Sequence, residues 1–195
     1  VMNEFYEWLI NINKLDFKDK SVLILGSGKI ADQYAFALQK MNIRDITVIS
    51  RKGLENDHIK NSLGVKILDG GFEKHLRNFK KQDLLIIALP TESLLKAAEM
   101  ALESGQTNIL IEKPASLFPE NLNLLDKFEQ NSKIRIAYNR LLYTNFHKLK
   151  QLTHDDGGIT SVKFTFTEWI DKIDFSNYDD QTLKFWGTQN SLHVI

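Results

Sequence analysis

The segment GSGKIA at 26–31 has two glycines two residues apart and a small residue three further on. That is the G-x-G-x-x-A spacing of a phosphate-cradling turn. Gly26 permits a tight turn, and Gly28 lacks a Cβ, so a pyrophosphate can approach the backbone. Ala31 allows close packing of a helix on a strand. Ser27, Lys29 and Ile30 complete the turn and are expected to line the same site. A helix beginning there presents free N–H groups and a partial positive charge to an anion. About 20 residues past such glycines, an NAD site carries Asp or Glu on the ribose hydroxyls. Here the residues are Ser50, Arg51 and Lys52. A carboxylate would repel a 2′-phosphate, whereas a hydroxyl and two cations can hydrogen-bond one. NADP(H) is therefore the expected cofactor, with NAD(H) as the lesser partner.

These residues need strands that end at the turn and helices that begin there. SVLIL (21–25) and LLIIAL (84–89) are short apolar runs suited to strands buried on both faces, and ITVIS (46–50), VKIL (65–68), NILI (108–111) and IRIAY (134–138) read as further strands. Helical patterns lie between them at 29–41, 55–63, 72–79, 91–104 and 119–130, with another at 141–153. The alternation predicts an α/β chain: a Rossmann-type doubly wound parallel sheet. A leading helix is expected over 4–13 within residues 1–19, the dinucleotide-binding domain over 20–155, and a second domain from 156, after the turn HDDGG. In that second stretch ITSVKFTFTEW (159–169) alternates, with Val162, Phe164 and Phe166 on one face. It predicts a half-exposed strand, the start of a truncated α+β antiparallel-sheet domain (156–195). An unpaired strand of this kind is expected to pair with another copy or with the tail. Glu168 shares the parity of the two phenylalanines and is a secondary site candidate, since a carboxylate on an apolar face needs a partner.

Composition removes several alternatives. Among the 195 residues, 25 basic and 25 acidic side chains balance, and no basic block argues for nucleic acid. There is no cysteine, hence no disulfide scaffold, thiol nucleophile or Cys-bound zinc, and no metal is expected. No apolar run approaches about 18 residues, and Glu4 and Glu7 interrupt the N-terminal stretch, so neither a membrane span nor a signal peptide is expected. The default reading is a soluble cytoplasmic protein.

Residues 83–116, DLLIIALPTESLLKAAEMALESGQTNILIEKPAS, carry a strand ending in Pro90-Thr91, a helix closed by a glycine turn, and Glu112-Lys113-Pro114 after the next strand. With the glycine turn, this resembles the Gfo/Idh/MocA family of NAD(P)-dependent oxidoreductases over about residues 20–195. The opening SVLILGSGKIA with ISRK is also similar to shikimate-dehydrogenase and glutamyl-tRNA-reductase cofactor domains, which lack Glu-Lys-Pro. The resemblance implies cofactor contacts from Leu89, Pro90, Thr91, Glu112, Lys113 and Asn139, the last in an Asn139-Arg140 turn near the nicotinamide. It implies that Lys113 holds a sugar hydroxyl, with Glu112 orienting it, and stabilises the alkoxide as hydride leaves. Pro114 fixes the turn, and the family often has this peptide cis.

The tail resembles the family with departures. His193 matches the family's histidine and would act as general base, but Gln189 stands where the family has Asp. Leu94 replaces a usual histidine after the Pro-Thr turn. Family members continue through a further sheet-rich half that closes the substrate pocket and forms the oligomer interface. The chain is thus expected to stop early in its second domain, and a homo-oligomer is expected. TEW (167–169) and NSLHVI (190–195) are similar to members found with surface-polysaccharide genes, which makes a sugar or nucleotide sugar the expected substrate. A non-catalytic dinucleotide-binding module, serving as sensor or assembly subunit, is the reading from another class.

Overall fold

The computed structural model describes residues 11, 15–51, 64–163, 165 and 167–187. The leading helix expected over 4–13, apart from Asn11, and the polar helix expected over 55–63 lie outside the described residues. So do Lys52, Gln189 and His193. The described residues from Asn11 to Ala137 form one compact unit, and those from Tyr138 onward belong to a second.

The first unit is built on β1 (Ser21–Leu25), β2 (Asp45–Ser50), β3 (Lys66–Asp69), β4 (Leu84–Ile87), β5 (Asn108–Ile111) and β6 (Lys133–Ile136). They form one sheet in the order β3-β2-β1-β4-β5-β6, every described pairing parallel. Successive side chains of a strand point to opposite faces, so a continuous apolar run must be buried twice. In β1, Val22 and Ile24 join Ala31, Ala35 and Leu38 of α1 (Lys29–Lys40) on one face. Leu23 and Leu25 join Leu94, Ala97, Ala98 and Ala101 of α3 (Thr91–Glu103) on the other, where α2 (Phe72–His75) also packs through Phe72. Each large side chain buried this way contributes about 1.5–3 kcal/mol. Ala31, Ala35, Ala97, Ala98 and Ala101 are fully buried, which lets the two helices sit close to the sheet. This is the doubly wound Rossmann arrangement expected from the alternation.

Some elements take another form. The 119–130 helix is a 3-10 run, Pro119–Phe128, closed by i→i+3 bonds such as Asn121 N to Phe118 O. Asn121 and Asn123 are weak helix formers, and the tighter turn suits them. The helix expected over 72–79 divides into α2 and a 3-10 turn, Leu76–Asn78. In the second unit, the helix expected over 141–153 becomes a 3-10 turn, Asn139–Leu142, and α4 (Thr144–Asp155), separated by extended Tyr143.

The strand expected over 159–169 is not formed by the described residues of that stretch. Alternation marks which side chains could share a face, but a strand also needs a neighbour to take its backbone hydrogen bonds. None is present among the described residues, and Val162 is 70% exposed. Instead, α5 (Asp180–Lys184) is capped by Asp179, whose carboxylate accepts from Thr182 N and Oγ1. Trp186 meets Phe175 and Tyr178 edge-on at 5.3 and 4.9 Å.

At the N-terminal ends of β1 and β4, Asp83 joins two strands that are far apart in sequence. Its carboxylate accepts from Ser21 N (2.9 Å), Ser21 Oγ (3.0 Å) and Lys20 Nζ (3.0 Å). The Ser21 backbone bond, followed by the Lys20 and Ser21 side-chain bonds, lowers its pKa from 3.8 to about 2. A carboxyl depressed in the folded state adds stability above its unfolded pKa and loses it as pH falls toward the folded value. Asp83→Asn should therefore lower the urea midpoint at neutral pH. It should also flatten the loss of stability between about pH 4 and pH 2, and denaturation at stepped pH reads both effects.

Candidate functional site

The chain runs from β1 out to β3 and returns to β4 on the other side of β1, so the crevice above β1 and β4 is the topological switch point where open α/β sheets bind ligands. A cavity of about 750 Å³ lies there. Its walls are the loops that leave the C-terminal strand ends. Gly26–Ile30 follow β1, Ser50 and Arg51 end β2, and Gly71–Glu73 follow β3. Ala88–Pro90 follow β4, with Ser93 from α3, and Glu112 and Lys113 follow β5. Three of the loops begin with a bond that extends the sheet ladder: Gly26 N donates to Ile49 O, Ala88 N to Leu25 O, and Glu112 N to Ile87 O, all at 2.9 Å.

The two glycines of the turn have different requirements. Gly26 has φ +108°, and a Cβ there would sit 2.1 Å from the Ala88 carbonyl oxygen. Only glycine allows β1 to leave the sheet against β4. Gly28 has φ −78°, which any residue adopts, and a Cβ there would meet nothing within 4 Å. Gly28 is the N-cap of α1 and has no side chain to cap it; the first intrahelical bond is Asp32 N to Gly28 O. A side chain on Gly28 would thus occupy open space beside the uncapped start of α1, which fits a phosphate group.

Ser50 joins three loops. Its hydroxyl is 2.8 Å from that of Ser27, and its carbonyl accepts from Gly70 N and Gly71 N at 3.0 and 2.8 Å. The side chain is almost fully buried, so the Ser27 and Ser50 hydroxyls anchor the glycine turn to the end of β2. Arg51 follows directly and is exposed at the pocket wall.

At the far side, Lys113 is half-buried and its bond to Pro114 is cis, an isomer the sequence left open. Glu112 accepts a hydrogen bond of 2.6 Å from the Tyr34 hydroxyl of α1. Burial, then the bond and charge of Glu112, push the Tyr34 hydroxyl above its ordinary pKa. The tyrosine stays protonated and ties α1 to the turn carrying Lys113.

The structure therefore brings together Gly26, Ser27, Gly28, Lys29, Ile30, Ser50, Arg51, Leu89, Pro90, Glu112 and Lys113, all named from sequence. Thr91 opens α3, but the pocket residue of that helix is Ser93. Leu94 is core, 1% exposed. Asn139 and Glu168 both lie in the second unit, Glu168 accepting from Trp186 Nε1 at 2.8 Å. The sequence reading did not identify Tyr34, Gly71, Phe72, Glu73 or Ser93. A Gly-Gly pair just past β3 repeats the glycine-after-strand signal and was legible, and Tyr34 lies one helical turn beyond Ala31. Nothing local marks Glu73.

Among the described residues, no helix is long and apolar enough to cross a membrane. No curated protein matches the chain. Solved structures similar to it include scyllo-inositol dehydrogenase from Lactobacillus casei with bound NAD(H) and scyllo-inositol, 24% identical, TM-score 0.60, covering 71% of this chain and 41% of that one. Another is myo-inositol 2-dehydrogenase from Lactobacillus plantarum, 17% identical, TM-score 0.61, covering 71% and 41%. A third is UDP-N-acetylglucosamine 3-dehydrogenase from Acidithiobacillus ferrooxidans, 19% identical, TM-score 0.57, covering 68% and 41%. The chain thus spans about two fifths of the length of each of these. Residues 20–139, from the start of β1 through the turn after β6, match the Gfo/Idh/MocA oxidoreductase family with its NAD-binding Rossmann fold, and the chain belongs to that family.

Proposed function

We propose that the pocket holds a nicotinamide dinucleotide, NADP(H) in preference to NAD(H), for an oxidoreductase acting on a carbinol or carbonyl carbon of a sugar or nucleotide sugar. The observation that carries this is the uncapped start of α1 opening into empty space at Gly28. In this reading the pyrophosphate lies against residues 26–31, where backbone N–H groups and the helix dipole take its charge. Ser50 and Arg51, with Lys52, take the 2′-phosphate. One or two charge-assisted hydrogen bonds of about 1.5–3 kcal/mol each favour NADPH by tenfold or more. Leu89, Pro90 and Thr91 flank the middle of the dinucleotide, and Asn139 serves the nicotinamide end.

When bound, the nicotinamide ring supplies or accepts a hydride. Lys113 holds the substrate oxygen and stabilises the negative charge that builds on it, with Glu112 and Tyr34 fixing the turn from which it projects. The family resemblance makes His193 the group that holds the exchanged proton, with Glu168 as a secondary candidate. Relatives named for scyllo-inositol, myo-inositol and UDP-N-acetylglucosamine support a polyol or sugar carbinol as substrate.

Gly26→Ala should cost about 4 kcal/mol or more, or prevent folding, because its Cβ meets backbone. Gly28→Val should cost about 1 kcal/mol of stability yet weaken NADPH binding at least tenfold, so melting and titration calorimetry together separate the two glycines. In the same calorimeter, Arg51→Ala should weaken NADPH about tenfold and leave NADH nearly unchanged; an unmoved ratio contradicts the 2′-phosphate assignment. In a chain extended to family length, Lys113→Met should reduce turnover about 10²–10³-fold, read by nicotinamide absorbance over a panel of sugars and nucleotide sugars, with cofactor affinity nearly intact.

A further inference from the structure

A carboxylate stands in the pocket wall beside the arginine assigned to the 2′-phosphate. Glu73 follows the Gly70-Gly71 turn, and that turn hangs from the Ser50 carbonyl, so its place relative to Ser50 and Arg51 is fixed by backbone bonds. A Cβ on Gly71 would lie 3.3 Å from Glu73 Oε2 and 3.4 Å from Arg51 Cγ, which puts the carboxylate and the arginine stem on the same small patch. The other oxygen, Oε1, accepts from Lys96 Nζ of α3 at 3.1 Å. Lys96 in turn lies 5.9 Å from the centroid of the Phe72 ring. Lys96 of α3, paired with Glu73, and Arg51, whose charge also acts on Glu73, thus make a row of alternating charge that runs from α3 to the pocket wall. Its own backbone N–H, then Lys96 and Arg51, hold the Glu73 carboxyl below the ordinary range, so it is anionic at neutral pH.

We infer that Glu73 sets the margin of cofactor discrimination: it competes with a 2′-phosphate for the Arg51 guanidinium, and Lys96 limits that competition by engaging one carboxylate oxygen. This rests on the NADP(H) reading above. A carboxylate and a phosphate are both anionic partners for the same guanidinium fork, and an arginine drawn to one is less available to the other. NADH carries a neutral hydroxyl at that ribose position, so the competition hardly touches it. Glu73 and Lys96 are 48% and 62% exposed, so solvent and salt screen the effect. Its expected size is about threefold per charge removed, not hundredfold.

The experiment is titration calorimetry of the full chain with NADPH and with NADH for the wild type, Glu73→Gln, Lys96→Met and the double variant. NADH affinity controls for folding, since it uses the same glycine turn. Glu73→Gln should tighten NADPH about threefold, and Lys96→Met should weaken it about threefold. Lys96→Met added to Glu73→Gln should have little further effect, because the acid that Lys96 restrains is gone. A wild type that binds NADPH no better than NADH overturns the cofactor reading, and this inference with it. A wild type that keeps its preference, with a ratio unmoved by Glu73→Gln or Lys96→Met, overturns only the role given to Glu73. A loss of NADH affinity in Glu73→Gln at an unchanged melting temperature assigns the carboxylate to a ribose hydroxyl and likewise overturns it.

Discussion

The backbone of Gly26 passes so close to the Ala88 carbonyl that no side chain fits between them. That approach sits where β1 and β4 are paired side by side and the chain reverses its direction of travel across the sheet. Because the turn after β1 is pressed against β4 and bonded to Ile49 of β2, the start of α1 is aimed over the strand ends. The cavity, the open space at Gly28 and the position of the Ser27 hydroxyl on Ser50 all follow from it. A steric limit at one α-carbon thus sets the geometry of a site formed by loops from five strands.

The charged groups of that site are managed by pairing. Lys29, Arg51 and Lys113 bring positive charge to the cavity wall, where Glu73 and Glu112 are the carboxylates. Each carboxylate is engaged from a helix, Glu73 by Lys96 of α3 and Glu112 by Tyr34 of α1. Restraining the acids leaves the wall weighted toward binding an anion, while the two helices gain a fixed point on the loops they flank. A dinucleotide pyrophosphate is the kind of ligand this balance suits.

The sheet was legible because its inner strands are short apolar runs, most of whose side chains are buried whichever face they point to, while the edge strands β3 and β6 are only partly buried and were marked by their place in the alternation. Five of the wall-forming loops begin at glycine, proline or a charged residue just past such a run, so most of the pocket could be named in advance. Glu73 and Ser93 could not, because their place depends on how the loops after β3 and β4 fold back, which is a tertiary fact. The 159–169 stretch shows the opposite failure. Its alternation is strong, yet a strand is made by its partner, and local pattern does not supply one. The 3-10 run at Pro119–Phe128 marks another limit: apolar spacing does not distinguish it from an α-helix when weak helix formers occupy the first turns.

The most direct test of the central claim is the change in backbone amide resonances of the isotope-labelled chain as NADPH is added. The account predicts that Gly28, Lys29, Ile30 and Ala31 move most, together with Arg51 and Gly71, while Lys20, Asp83 and Gln106 at the opposite ends of the strands stay in place. Saturable shifts centred on those opposite ends, with the 26–31 turn unmoved, would contradict it.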